Sequence, residues 1–299
     1  MPDILISPAA LQQRLQQPGL VVIDASVELA AARFDGDYRV ASGHAAWLAE
    51  HIPGSRHADL TRELADTSVS YSFALPSPAA AQAALARLGI SGARQIVIYD
   101  RHEGFWAARL WWMLRSMGIT ASVLDGGLKA WRLAGLPLAQ GQQAQGTAPG
   151  SQATLTIQAG YWASREDVQA VLEGKAPGLL VCALGKGLFE GSAVSRYARR
   201  GHIPGSLNRP ARELFDEQGR YLPPTALANA LGSLLLEDDQ PLILYCGGGI
   251  SAAATALALT RLGRQNMSIY DGSLQEWAAD PALPMTTVPL RTEASPLQK

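Results

Sequence analysis

The stretch PLILYCGGGISAAATALALTRLG, Pro241 to Gly263, decides how this chain is read. Pro241 to Cys246 is a short apolar run, the pattern of a strand buried on both faces. Three glycines follow, and a helix is predicted to begin near Ile250 or Ser251 and to run to Gly263. A buried strand that turns directly into a helix is the building unit of a parallel sheet covered by helices.

The same plan occurs earlier in the chain. IVIYD (Ile96 to Asp100) returns as LILYC (Leu242 to Cys246), and DGGLKAW (Asp125 to Trp131) returns as DGSLQEW (Asp271 to Trp277), both 146 residues later. HIPGS occurs at His51 and again at His202, 151 residues apart. Three motifs in one order at nearly one offset define a duplicated domain. In the first copy residues 20–25 and 95–100 are predicted strands, and 78–89 and 105–118 predicted helices. In the second, 178–183 and 241–246 are strands and 251–263 a helix. The expected fold is α/β: two tandem domains, residues 1–138 and 154–299, each a parallel sheet with helices on both faces. Between them AQGQQAQGTAPGSQA, residues 139–153, has neither helical nor strand periodicity and reads as a linker. The tail after Pro284 is expected to pack loosely on the surface.

Composition narrows the function. Hydrophobic residues make up 47% and charged residues 17% of 299, an ordinary compact globular balance. The formal net charge is −1, with Lys plus Arg against Asp plus Glu at 12 to 12 over residues 1–140 and 13 to 14 over the rest. That evenness speaks against nucleic acid or anionic lipid as a partner. No secretory pattern opens MPDILISPAALQQRL, and no apolar run approaches the roughly 18 residues of a membrane helix. A cytoplasmic protein is expected. Only Cys182 and Cys246 are cysteines, without a CxxC pair or a histidine cluster at ligand spacing, so no metal is expected. Cys182, at the end of a predicted buried strand, reads as a packed small hydrophobe.

Cys246 is different. Three adjacent glycines cost backbone entropy and are a poor choice for a plain connection. They permit a tight arc in which successive N–H groups converge on one point, where the following helix adds the positive end of its dipole. No Asp or Glu in the first helical turn takes those donors, so the nest suits a thiolate, a persulfide or an incoming anion. At the equivalent place the first copy has Asp100, followed by RHEGFW (Arg101 to Trp106). A carboxylate cannot carry transferable sulfur, so the chemistry is expected in the second half. Features common to both copies, including His51 and His202 of the HIPGS turns, read as scaffold. A phosphatase loop would need an arginine at its end to grip the oxyanion, and the sixth residue after Cys246 is Ala252.

On these features the sequence resembles the tandem-domain rhodanese family, which includes thiosulfate and 3-mercaptopyruvate sulfurtransferases. The resemblance spans nearly the whole chain: both HIPGS turns, a WWxLRxxG-like helix (Trp111 to Gly118), both DG(G/S) segments, and a cysteine loop in the second copy alone. It implies a silent first domain, a catalytic second domain and a site in the cleft between them. It puts the nucleophile at Cys246 and the persulfide-holding loop at Gly247, Gly248, Gly249, Ile250 and Ser251, with no cofactor. The implied reaction moves sulfur from a small donor, 3-mercaptopyruvate or thiosulfate, to a thiophilic acceptor such as cyanide, a thiol or a reduced thioredoxin-like protein. The neutral CGGGIS loop is closer to the mercaptopyruvate branch. That branch's loop serine, however, falls on Gly248 and its assisting histidine near Phe73, with Asp59 at the accompanying aspartate. A larger departure concerns the arginine that family members place just after the first catalytic-domain strand to hold the donor's anionic group. Here that segment is Cys182 to Leu184. Lys186, Arg196, Arg199 and Arg200 are the nearby cations left to form the clamp. The alternative to an enzyme is a non-catalytic or carrier module of the same fold.

Overall fold

The computed structural model describes residues 4–142, 155–237 and 239–287. The first half contains strands β1 (Leu5–Ile6), β2 (Leu20–Asp24), β3 (Val27–Leu29), β4 (Val40–Ser42), β5 (Arg56–His57), β6 (Gln95–Tyr99) and β7 (Ser122–Leu124). Its helices are α1 (Pro8–Gln12), α2 (His44–Ala49), α3 (Pro78–Arg87), α4 (Phe105–Ser116) and α5 (Gly127–Leu133). The second half contains β8 (Trp162–Ala163), β9 (Leu179–Cys182), β10 (Leu207–Asn208), β11 (Leu242–Tyr245) and β12 (Met267–Tyr270). With these go α6 (Arg165–Leu172), α7 (Lys186–Glu190), α8 (Pro224–Leu231), α9 (Ser233–Glu237), α10 (Ile250–Arg261) and α11 (Ser273–Trp277).

Two five-stranded parallel sheets result. The first runs β1-β7-β6-β2-β5 and the second, read in the same sense, β8-β12-β11-β9-β10. Strand for strand the orders coincide, as a duplicated α/β domain requires. The predicted strands and helices fall within one or two residues of their observed ends. The antiparallel β3-β4 hairpin has no counterpart in the sequence reading and, among the described residues, occurs in the first copy alone. Most of the expected linker, from residue 143 on, lies outside the described residues. Ala139 pairs with His51 and Gly141 donates to the Leu48 carbonyl, so these two residues belong structurally to the first domain. Of the expected loose tail, Thr286 pairs with His202, and residues 288–299 lie outside the described region.

The repeated motifs hold one another. Tyr99 and Tyr245 end the central strands β6 and β11, and their hydroxyls accept from the amides of Ile52 (3.2 Å) and Ile203 (3.1 Å) in the two HIPGS turns. His51 and His202 donate from Nδ1 to the carbonyls of Trp47 (2.8 Å) and Phe189 (2.7 Å) and stack on those same rings. A carbonyl only accepts, so the proton sits on Nδ1 in both. Each histidine is thereby consumed by scaffold, and each anchored tyrosine fixes the residue that follows it: Asp100 in one domain, Cys246 in the other.

The domains share one hydrophobic core through α4 and α10, which pack against each other. Both helices are buried nearly all round, the signature of a helix enclosed by protein on every side. Trp111 and Trp112 fill one, while Ala252, Ala253, Ala254, Ala256 and Ala258 keep the other slim, so bulk meets small side chains across the contact. Because α10 follows the glycine loop directly, this interface also positions the candidate site.

Candidate active site

Strand β11 delivers Cys246 to its carboxyl end, where the residue is only 2% exposed. Ligands of open parallel sheets bind outside this end of the strands. The loop is suspended from the segment 273–275: Cys246 N–H donates to Ser273 Oγ (3.2 Å), and the carbonyls of Cys246 and Gly247 accept from Leu274 (3.1 Å) and Gln275 (2.8 Å). Ser273 Oγ in turn donates to the Tyr270 carbonyl (2.7 Å). No side chain caps the first turn of α10, and none of its residues is acidic. The amides that open a helix have no acceptor within it and can receive an anion.

Each glycine of the loop has its own steric reason. A methyl group at Gly247 would overlap the Tyr197 hydroxyl, and one at Gly248 would overlap Gln275 Nε2. Gly249 has φ +74°, and a methyl there would lie 2.6 Å from Arg109 Nη1. The loop is thus wrapped by side chains from both domains, at distances that only glycine allows.

In the first domain the equivalent loop holds an acceptor of its own. Asp100 accepts from the amides of His102 and Gly104 through Oδ1 and of Ala107 through Oδ2, all at 3.0 Å. Gly104 caps α4 with φ +78° as Gly249 caps α10. A carboxylate built into the chain thus fills the loop at the position where the second domain has Cys246.

Arg109 reaches from α4 toward this loop and is 1% exposed. Nη2 donates to the Phe73 carbonyl and to Asp271 Oδ1, each at 2.6 Å, and the guanidinium lies over Trp162 at 4.5 Å. Asp271 Oδ2 accepts from the Leu75 amide (2.7 Å), and Gln275 Oε1 from the Ser72 amide (2.8 Å). Residues 72–75 of the first domain are in this way strapped to the segment that carries the cysteine loop. Phe73 holds φ +67° within the strap, a conformation uncommon for a bulky residue.

A cavity of about 590 Å³ opens over Cys246 between the domains. Of the predicted loop residues, Gly247, Gly248, Ile250 and Ser251 line it together with Cys246. Of the four candidate clamp residues, Arg196 lines it. Arg199 is engaged elsewhere, donating to the carbonyls of Trp277, Ala278, Asp280 and Leu283, and Arg200 pairs with Asp35 of the first domain. Lys186 is exposed and pairs with Glu190. Asp59 accepts from Thr61 and lies off the cavity wall, whereas Phe73 forms part of it. Cys182 is buried in the second core, where desolvation pushes its thiol up to about 12.

Sequence reading missed Ser273, Gln275, Tyr197 and Arg109. One signal was present: where the first copy has Gly127, the second has a serine. Gly127 has φ +54°, and Ser273 keeps a left-handed φ of +47° despite its side chain. A serine retained in that conformation marks a needed hydroxyl.

Known proteins share this two-domain fold. A family model of the rhodanese-like domain matches residues 7–134 and again 184–280. The chain is 34% identical over 297 residues to the Pseudomonas aeruginosa protein named "Probable 3-mercaptopyruvate sulfurtransferase", covering 95% of this chain and 98% of that one. It is 31% identical over 284 residues to the 3-mercaptopyruvate sulfurtransferase of Escherichia coli, covering 93% and 96%. The crystal structure of SseA from Escherichia coli, a 3-mercaptopyruvate sulfotransferase with the rhodanese fold, superposes with a TM-score of 0.74 at 29% identity, over 91% of this chain and 98% of that one. Two parallel-sheet domains around a cysteine loop define a class of tandem rhodanese-like proteins, and this chain belongs to the rhodanese family. Within the family it is a sulfurtransferase, an enzyme with a small-molecule sulfur donor and an acceptor. Among the described residues no helix is long and apolar enough to cross a membrane.

Proposed function

We propose that the chain transfers sulfane sulfur through a persulfide on Cys246, held by the amides of Gly247, Gly248, Gly249, Ile250 and Ser251. The observation that carries this reading is Asp100: in the duplicate nest an anion accepts three amide hydrogens at 3.0 Å. Replacing that built-in carboxylate by a thiol leaves the donors for a charged sulfur that comes and goes.

The chemistry divides into two displacements. The Cys246 thiolate attacks the outer sulfur of thiosulfate, the S–S bond breaks toward the sulfonate sulfur, and sulfite leaves with the electron pair. With 3-mercaptopyruvate the C–S bond breaks instead, and the thiol proton ends on carbon as pyruvate forms. In the second step an acceptor, cyanide, a thiol or a reduced thioredoxin-like protein, attacks the outer sulfur and regenerates the thiolate. The converging amides stabilise the charge wherever it resides along S–S. Ser273 holds the loop in register, and Arg196 is the cation available to a donor's anionic end. Neither displacement calls for a metal or an organic cofactor. Two free, buried cysteines suit a reducing compartment, which we take to be the cytoplasm.

The test is steady-state thiocyanate formation from cyanide with thiosulfate and with 3-mercaptopyruvate, on wild type and Cys246→Ser. Turnover is expected in wild type, with loss to background in the variant. A folded Cys246→Ser protein that retains more than a few per cent of wild-type turnover contradicts it.

A further inference from the structure

The loop of the β3-β4 hairpin, residues 30–39, is tied together from within. Asp37 is buried and accepts from the amide (3.0 Å) and Nε (2.8 Å) of Arg33 and from Nε (2.8 Å) and Nη2 (3.1 Å) of Arg39. Arg39 Nη2 also donates to the Ala31 carbonyl (2.8 Å), and the Asp37 amide donates to the Phe34 carbonyl (3.1 Å). Charge-assisted bonds of this kind hold the tip in one shape from its own residues.

The tip meets the second domain through a slighter contact. Gly36 N–H donates to the Ser195 carbonyl (2.8 Å), Ser195 N–H to Asp35 Oδ1 (2.9 Å) and Arg200 Nε to Asp35 Oδ2 (2.9 Å). The Arg200 and Asp35 side chains are 39% and 51% exposed, so this ion pair is of the kind that salt screens. Phe34 and Val194, next to the contact in the chain, are both exposed and do not seal it with apolar surface. A tip bound firmly to itself and weakly to its neighbour opens at the weak junction.

That junction borders the way to Cys246. Ala31 and Tyr38 of the hairpin loop line the cavity, as do Arg196 and Tyr197, which directly follow Ser195. Cys246 itself is buried, yet both displacements require it to be reached. Resting on the reading of Cys246 as the sulfur carrier, we infer that the hairpin tip is a flap whose clasp, Asp35 and Gly36 on Ser195 and Arg200, limits the size of molecule that reaches Cys246. Cyanide passes while the clasp is closed, and a bulkier thiol waits until it opens. Asp35 thereby sets acceptor specificity as a positioning residue.

The experiment follows alkylation of Cys246 by peptide mass spectrometry, with iodoacetamide as the small reagent and N-(1-pyrenyl)maleimide as the bulky, uncharged one. Each rate is divided by the reagent's rate with free cysteine. Asp35→Ala is expected to speed the pyrenyl reagent about fivefold and Arg200→Gln about twofold, with little change for iodoacetamide. In wild type, raising NaCl from about 0.05 to about 1 M should speed the pyrenyl reagent alone, and Asp35→Ala should abolish that dependence. This salt arm needs no variant to fold. In turnover, the ratio of kcat/KM for glutathione to that for cyanide should rise in both variants. They remove opposite charges, so a rise in both separates access from attraction of the glutathione anion. Parallel changes for the two alkylating reagents, or a pyrenyl rate indifferent to both substitutions and to salt, would overturn the flap. Labelling as expected without thiocyanate from any donor would overturn persulfide transfer and leave the flap standing.

Discussion

Arg109 of the first domain and Asp271 of the second meet at 2.6 Å beside the glycine loop, and the same guanidinium nitrogen holds the Phe73 carbonyl at 2.6 Å. One buried cation thus joins the strap over the cavity to the segment from which the cysteine loop hangs. The first domain is part of the site's construction, and the interface cannot loosen without disturbing the loop.

Removing one partner of a buried pair strands the other, at a cost of about 3–5 kcal/mol. Arg109→Met is expected to lose stability of that order and to lower sulfur transfer. Asp271→Asn, which keeps an oxygen acceptor, should lose less. Urea unfolding midpoints with unchanged slopes measure both effects.

The loop glycines are predicted to fail separately. Gly249→Val must place a β-branched residue at φ +74° against Arg109 and should cut turnover about a hundredfold, the scale of losing an oxyanion-type donor. Gly247→Ala and Gly248→Ala retain an ordinary backbone and displace Tyr197 or Gln275, so a smaller loss is expected. Turnover and thermal midpoint, read together for each variant, separate loop misdirection from unfolding.

Ser273 offers a sharper discrimination. Ser273→Ala keeps the left-handed strain and loses the hydroxyl that accepts from Cys246 N–H; Ser273→Gly loses the same bond but sheds strain of about 1 kcal/mol. Both should impair turnover alike, while the glycine variant unfolds at higher denaturant than the alanine variant. Equal unfolding midpoints would mean the strain is absent.

Cys182 should be dispensable for transfer. Burial lifts its thiol from 9.0 to about 12, so the folded protein resists its ionisation while the unfolded chain ionises freely. The sign follows: this contribution to stability is whole below pH 9 and drains away as pH rises toward 12. Cys182→Ala should keep most activity and show a shallower alkaline loss of stability than wild type, measured by denaturant unfolding from pH 8 to 11.

Much of this molecule was legible in its sequence because duplication repeats its own signals. The paired motifs at Tyr99 and Tyr245, and at His51 and His202, form equivalent contacts, and local patterning located the central strands and their helices. The glycine run marked a loop that its surroundings leave no room to build from larger residues. What stayed hidden was long-range: Arg109 meets Asp271 across 162 residues, and Ser72 meets Gln275 across 203. No local period encodes such contacts. The β3-β4 hairpin was missed for a related reason, since its short strands carry no clean alternation and the described residues of the second copy hold no equivalent to compare. Arg199 and Arg200 illustrate the limit of proximity in sequence, as one binds four carbonyls and the other pairs with Asp35.

Sulfur in transit is expected to rest on Cys246. Intact-protein mass spectrometry after exposure to a sulfur donor, then after cyanide, tests it on wild type, Cys246→Ser and Cys182→Ser. One added sulfur atom is expected on wild type and Cys182→Ser, removed by cyanide, and none on Cys246→Ser. Added sulfur on the Cys246→Ser protein, or turnover by wild type without any sulfur-bearing form, would contradict it.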